Sequence, residues 1–491
     1  MPQIKGKRLV LSSMFTQMKH MNIIGLILSV TVSVASCGGS TTNSDNKGAT
    51  ETTSVGGVQY TNGVTDQNKG MKKGPIQVKG TLQNPAVSKI YLWNTYGKTN
   101  TKMDSTVVKA GAFDFGSKQI EQGIYMIGTA DNNMASIILN PAEPVVELQF
   151  KGGRMENGMV ALNSKENEAW AAYMPQENVL LKAIKDARVA GAKSSLKGEY
   201  EKQVSQKEAE LSALQAKMIG AYPNTHFSKV LTWKQEPERT DMNKYWDNID
   251  FTDRSVIHGL VMSDRIQNYM RSFSKGTESG FISCISTLAE KAKADDMVLE
   301  FTLNQMLVGF YESGMENICL HIIDNYVNGE SCGDADLSNI IKSTAESIQN
   351  LSVGNTPPNI NMTTMKGGKV DLYQTAKQNK YTLVMFWSSW CEHCKGEAPE
   401  VKQCYDLWSP KGFEIVGVSV DNNKAAWEAA VNDRGFTFPN VCGMKQWESP
   451  VAKDYRVTKT PAFFLLDNTG KIVLKPKGIR EVQAFLAKNI K

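Results

Sequence analysis

Three things are scarce in these 491 residues, and each scarcity removes a class of function. Charge of one sign is scarce: the formal net value is +5, and Lys5, Lys7, Arg8 and Lys19 supply four of those charges before any acidic residue occurs. A nucleic-acid binder concentrates Lys and Arg on one face to release counterions, and the rest of the chain has no such excess. No nucleic-acid partner is expected. Long apolar runs are missing too, since Ile23 to Ala35 spans only about 13 residues where a bilayer-spanning helix needs roughly 20. Metal-ligand patterns are thin: one CxxC occurs, without a second and without an HxxxH, so four-ligand zinc has no frame. No metal and no cofactor is expected.

What remains is globular, with 41% hydrophobic, 21% charged and 8% aromatic residues. That balance excludes collagen-like, mainly disordered and multi-span membrane proteins. At about 100–200 residues per domain, the chain should hold two to four units. Residues 1–36 read as a signal peptide: basic residues, a short apolar run, then Val34-Ala35-Ser36-Cys37. Small residues directly before a cysteine resemble the lipobox of bacterial lipoproteins, which implies cleavage ahead of Cys37 and acylation of that residue. An ordinary signal peptide and a start at Met18 or Met21 stay open. Residues 37–74 then form the lipid anchor and a flexible tether, because 22 of the 37 residues from Gly38 to Gly74 are Gly, Ser, Thr or Asn. Its root-mean-square reach is about 30–35 Å. The expected place is the cell envelope, facing the periplasm and held by several acyl chains. Lipoproteins that this segment resembles often carry Asp after the anchor for inner-membrane retention, so Gly38 there slightly favours the outer membrane.

Three folded regions are expected beyond the tether, in a multidomain architecture. Over 75–152 apolar residues alternate, as in Ile76/Val78, Ile124/Met126 and Val146/Leu148/Phe150, which predicts a small β-sandwich. Tyr91 and Trp93 read as core or sheet residues there. Over 160–350 the period becomes helical: Tyr200, Val204, Leu211, Leu214 and Met218 share one face, and further runs pass through Val256/Leu260/Ile266/Met270, Met297–Phe310 and Ile318–Val327. An α-helical domain of five or more helices is predicted. It carries no catalytic pattern, and it is expected to select partners or to pair two copies as a homodimer. His226, His258 and His321 are scattered and read as packing.

The chemistry is expected in 354–491. The buried-strand run Tyr381–Trp387 leads through Ser388-Ser389-Trp390 into Cys391-Glu392-His393-Cys394 and a helix. A thiol at a helix N-terminus meets unpaired N–H groups and the positive end of the dipole, both favouring thiolate. Cys391 is therefore the expected nucleophile, and Cys394, one turn on, the resolving thiol. Thr460-Pro461 follows, then the strand Ala462–Leu466. Strand, CxxC, helix and a later Thr-Pro resemble the thioredoxin fold, an α/β fold in which that proline is cis and lies against the thiols. Trp390-Cys391-Glu392-His393-Cys394-Lys395-Gly396-Glu397-Ala398-Pro399 resembles, more closely, the WCxxCxxExP pattern of membrane-anchored oxidoreductases of the TlpA/ResA type.

That resemblance implies a protein thiol–disulfide oxidoreductase with Cys391, Cys394 and Glu397 catalytic, and with Trp390, Thr460 and Pro461 against the substrate. Met385 stands where a cytosolic-type thioredoxin would place a buried Asp, so proton transfer falls to Glu397. Glu392 and His393 should tune the couple in opposite senses. Trp387 and Trp390 are expected to wall the site. Partners are protein thiols or disulfides and a membrane-linked electron donor or acceptor. Reductase is the favoured direction, with oxidase or isomerase open because His393 stands where many reducing relatives carry Pro. A thioredoxin-fold peroxidase is disfavoured because Val384 occupies a position that needs Pro, and a non-enzymatic envelope scaffold or ligand-binding lipoprotein is the rival from another class. Cys284, Cys319, Cys332, Cys404 and Cys442 are an odd set, so at least one is free or pairs between chains.

Overall fold

A computed structural model describes residues 52–55, 58–61, 72–83, 87–130, 133–192, 194–235, 237, 239–328 and 339–490. The signal peptide, Cys37, most of the tether and Cys332 lie outside the described residues. After a hairpin of β1 (Thr52–Val55) and β2 (Val58–Thr61), eight strands follow: β3 (Lys73–Leu82), β4 (Lys89–Tyr96), β5 (Thr99–Val107), β6 (Ala112–Glu121), β7 (Gly123–Gly128), β8 (Met134–Leu139), β9 (Val145–Phe150) and β10 (Met159–Ala161). They form two four-stranded sheets, ordered β10-β9-β3-β6 and β5-β4-β7-β8. Ile76, Val78, Phe113, Ile127 and Leu148 are among the side chains of their shared core. Alternation foresaw β3 and β9 but not β10, beyond the short helix α1 (Met155–Gly158). In β7 only Met126 is less than fully buried, against the expected pairing with Ile124. The reason is a second cover: Tyr96, Ile124 and Ile138 pack into the core of the helices, and a sheet buried on both faces loses its period of two. Tyr91 and Trp93 sit on β4, half-buried and 5.6 Å apart.

Eight helices make up the middle of the described chain: α2 (Lys165–Gly191), α3 (Lys197–Ala221), α4 (His226–Lys234), α5 (Val261–Phe273), α6 (Glu278–Ala292), α7 (Asp296–Glu312), α8 (Glu316–Ile322) and α9 (Asn339–Asn350). On the predicted face of α3 Met218 is buried, while Tyr200, Val204, Leu211 and Leu214 are half-buried. The run Val256–Met270 is not one helix. A 3₁₀ turn ends at Ile257, Gly259 takes φ +118°, and α5 starts afresh, leaving Leu260 exposed. The break serves the sheet, because Gly259 N–H donates to Thr95 O and Gly97 N–H to Ile257 O. At the edge strand β8, Asn167 accepts from Ile138 N–H (2.9 Å) and donates to Ile138 O (2.7 Å), which covers an otherwise open edge.

The last region begins with β11 (Asn361–Thr363), β12 (Lys369–Asp371) and α10 (Leu372–Gln378). Then come β13 (Tyr381–Trp387), α11 (Glu392–Trp408), β14 (Phe413–Ser419), α12 (Lys424–Asp433), β15 (Asn440–Cys442), α13 (Pro450–Asp454), β16 (Ala462–Asp467), β17 (Ile472–Leu474) and α14 (Ile479–Asn489). The sheet order is β15-β14-β13-β16-β17, with β13, β14 and β15 parallel and β16 and β17 antiparallel. This is a thioredoxin-like fold. Both faces of β13 are covered, so Thr382 to Trp387 are buried without alternation. On α14 the buried Ile479, Val482 and Leu486 lie three or four apart, one apolar stripe worth roughly 1.5–3 kcal/mol per side chain.

The helices touch this region beside its functional end. Tyr311 of α7 lies between Lys475 (Nζ 4.7 Å from the ring centroid) and Arg456 (Cζ 5.6 Å), while Lys475 pairs with Glu316 at 3.0 Å. Lys459 Nζ reaches Glu312 O at 3.4 Å, immediately before Thr460-Pro461. Among the described residues no helix is long and apolar enough to cross a membrane.

Candidate active site

The C-terminal ends of parallel strands are where open α/β sheets expose their loops. There the chain leaves β13, turns through Ser388, Ser389 and Trp390, and enters α11 with Cys391 as N-cap. Cys391 has extended dihedrals (φ −81°, ψ 111°), and its Sγ accepts from Cys394 N–H at 3.1 Å, as a capping hydroxyl would. A sulfur in this position is paired with a backbone donor and faces the positive helix end, so its anionic form is favoured. Cys391 and Cys394 are joined as a disulfide with Cα atoms 5.3 Å apart. Cys391 is 7% exposed and Cys394 3%, which leaves Cys391 the more open of the two.

Because β16 runs antiparallel to β13, the residues before it arrive at the same end of the sheet. Thr460 O comes to 3.4 Å from Cys391 Sγ, and the Thr460–Pro461 peptide bond is cis. The Thr460 carbonyl opposes a thiolate while the Cys394 N–H supports one. Pro461 offers no N–H here. Trp390 is 50% exposed and meets Trp447 edge-on at 6.0 Å, making an aromatic rim beside the thiols. Trp387 is fully buried and so is a floor beneath the site, not the expected wall. It is wedged against Phe436 at 5.4 Å and under the Arg434 guanidinium at 4.8 Å. Glu392 and His393 are exposed on the first turn of α11.

Glu397 lies one helical turn beyond Cys394, and its surroundings go beyond a solvated helix residue. Its Oε1 accepts from Ile479 N–H at 2.6 Å, at the N-terminus of α14. Burial raises the carboxyl above its usual range; Ile479 N–H and Arg480 oppose this, and Glu400 adds to it. A Cβ on Gly478 would fall 2.7 Å from Glu397 Oε1, so a larger residue there would displace the carboxylate from its present seat. Glu397 lines an open groove of about 420 Å³ with Glu400, Lys477 and Arg480. The raised carboxyl favours its protonated form more than an exposed glutamate would, and it lines this groove.

Two residues that hold the site were not foreseen. Asp421, fully buried just past β14, accepts from Ser389 N–H (2.9 Å), Ser389 Oγ (2.6 Å) and Ser419 Oγ (2.6 Å). Arg434, at the C-cap of α12, donates to Ser388 O (3.1 Å) and Ser389 O (2.9 Å). Position at a strand's C-terminal end was a usable signal for Asp421. Nothing local marks Arg434.

The sequence profile of the AhpC/TSA family matches residues 353–475. The thiol-disulfide oxidoreductase ResA of Bacillus thuringiensis (strain Al Hakam) is 30% identical over 125 residues, which cover 26% of this chain and 69% of that protein. The chain belongs to the ResA-type thiol–disulfide oxidoreductases. ResA of Bacillus subtilis (strain 168) is likewise 30% identical over 125 residues, covering 26% of this chain and 67% of the relative. Among solved structures, the thioredoxin domain of a thiol-disulfide oxidoreductase from Bacteroides vulgatus is 30% identical, with a TM-score of 0.27, covering 29% of this chain and 99% of that one.

As a ResA-type protein the chain is a protein disulfide oxidoreductase, and its four other described cysteines contrast with the pair. Cys284, Cys319 and Cys404 are free and buried, and burial pushes their thiols up to about 11, 12 and 12. Cys442 is free and half-buried at the end of β15, 3.4 Å from Asp421 O. Cys391, Cys394, Trp390, Thr460 and Pro461 thus converge at one end of one sheet, and Glu397 stands one turn away.

Proposed function

We propose that this oxidoreductase works in the cell envelope, lipid-anchored at Cys37, as a reductase of protein disulfides. The observation that carries the reading is the placement of Cys391 at the N-cap of α11, its sulfur meeting Cys394 N–H on one side and Thr460 O on the other. In the reduced state Cys391 thiolate attacks one sulfur of a substrate disulfide, forming a Cys391–substrate mixed disulfide and expelling the other substrate sulfur as a thiolate. Cys394, deprotonated with help from Glu397, then attacks Cys391 Sγ. The Cys391–Cys394 disulfide forms, and the second substrate thiolate leaves and is protonated. Two electrons pass to the substrate, and a membrane-linked donor restores the dithiol. Trp390 and the Thr460-Pro461 backbone hold the substrate segment, while Glu392 and His393 tune the couple in opposite senses.

The helical region is assigned partner selection or homodimer contacts. Its contact through Lys459 just ahead of Thr460 supports the first of these. The domain limits proposed with this reading are 75–152, 160–350 and 354–491 behind the tether. The test is the reduction potential of the Cys391/Cys394 couple, by thiol labelling across defined redox buffers. A value near about −270 mV supports a reductase, and one near about −120 to −180 mV assigns an oxidase or isomerase instead. Absence of a titrating pair would leave a non-enzymatic envelope scaffold.

A further inference from the structure

The ionisable side chains inside the CxxC motif are Glu392 and His393, both exposed. A permanent positive charge reaches the motif from 40 residues downstream. Arg434 ends α12, where Gly435 takes φ +62° and turns the chain so that Arg434 and Phe436 flank the Trp387 ring. The guanidinium, half-buried, directs two N–H groups to consecutive carbonyls, Ser388 O at 3.1 Å and Ser389 O at 2.9 Å. Ser388 O also accepts from Cys391 N–H at 3.4 Å. One carbonyl oxygen therefore joins the cation to the backbone of the nucleophile. From the other side Asp421 grips Ser389 through its N–H and Oγ. The turn that presents Cys391 is held by a cation on its carbonyls and an anion on its donors.

We propose that Arg434 is a positioning residue that fixes the Cys391 turn and raises the reduction potential of the Cys391/Cys394 couple. The proposal rests on the reading of that pair as the redox site. The couple is one disulfide plus two electrons and two protons giving two thiols. With glutathione, two thiols supply the electrons and leave as one glutathione disulfide. A fixed positive charge near Cys391 stabilises the thiolate that appears only on reduction, so it favours the dithiol. The anions facing Arg434 are Asp421, Glu392 and Asp433. Removing the cation leaves Glu392 beside the sulfurs with less compensation, which shifts the couple in the same direction. Lysine could keep the charge but not the fork, because an ammonium lacks the planar pair of donors that spans two carbonyls.

The experiment equilibrates the full chain, as wild type, R434Q and R434K, in glutathione redox buffers and scores the dithiol by alkylation. It also measures the rate at which the reduced proteins attack a small aromatic disulfide. For R434Q the equilibrium constant for reduction should fall at least threefold, which is about 14 mV more negative for a two-electron couple. For R434K it should stay within threefold of wild type while the attack rate falls at least threefold. An unchanged potential in folded R434Q, or an R434K potential that moves as far as that of R434Q, overturns the proposal. Should R434Q fail to fold, R434K decides alone: a slower attack at a retained potential supports the role, and wild-type rate overturns it. A wild-type pair that does not titrate would overturn the reading of the site itself, and that result is visible before any variant is compared.

Discussion

Cys319 in the helical region and Cys391 in the thioredoxin-like region are both nearly hidden from solvent, yet their environments oppose each other. Cys319 sits inside the core with apolar neighbours and a carbonyl, Leu307 O, 3.7 Å from its sulfur. Burial there pushes the thiol up to about 12. Cys391 has little more exposure but caps a helix and has a backbone N–H on its sulfur. Between two thiols this hidden, what separates an inert one from a nucleophile is whether polar groups on the sulfur offset the cost of burial. Cys404 makes the same point within α11, ten residues past Cys394, where the helix no longer offers free N–H groups and burial pushes the thiol up to about 12.

The largest break in this contrast should come from Cys391→Ser, which reduces turnover of a protein disulfide to background in an insulin-type turbidity assay, while Cys319→Ala stays within twofold of wild type. Stability should divide the other way. Phe301→Ala empties a fully buried site in α7 and should cost about 3–5 kcal/mol in denaturant unfolding, with the potential of the folded protein's couple unchanged. A loss of potential in that variant would mean that the helical core tunes the thiols.

A smaller effect is expected for Glu397→Gln, a slowing of disulfide resolution by roughly tenfold to a hundredfold, at the low end of general acid–base contributions. Since burial raises this carboxyl, the wild-type rate should climb with pH through a midpoint above the ordinary glutamate value, and the variant should lack that limb. The linked stability has a fixed sign. A raised folded-state value favours the protonated form, so its contribution is full below the unfolded value and is lost as pH rises through the folded one. Thermal melts between pH 4 and 7 should show that decline in wild type and a flatter profile in the variant. The mildest test is maleimide labelling of the reduced, folded protein: Cys391 reacts first, Cys442 slowly, and Cys284, Cys319 and Cys404 only after denaturation.

Much of the functional end was legible because its signals are local. Tyr381–Trp387, the CxxC spacing and Thr460-Pro461 each report on a few adjacent residues, and the elements formed where their patterns predicted. The pattern blurred where tertiary contacts override it. β7 is covered on both faces, so Ile124/Met126 did not alternate, and the expected helix through Val256–Met270 breaks at Gly259 because that segment hydrogen-bonds to β4. Trp387 looked like a site residue from its place beside Cys391, but strand geometry turns it into the core. Arg434 was invisible for the opposite reason: its partners Ser388 and Ser389 are 46 and 45 residues away and are bonded through carbonyls that any residue supplies.

The most direct test of the central claim is to trap the exchange itself. The full chain with Cys394→Ser, reduced and mixed with a disulfide-bearing protein, should accumulate a covalent complex whose link maps by peptide mass spectrometry to Cys391 and is released by dithiothreitol. No complex, or a complex linked through Cys442 or a core cysteine in the folded protein, would contradict it.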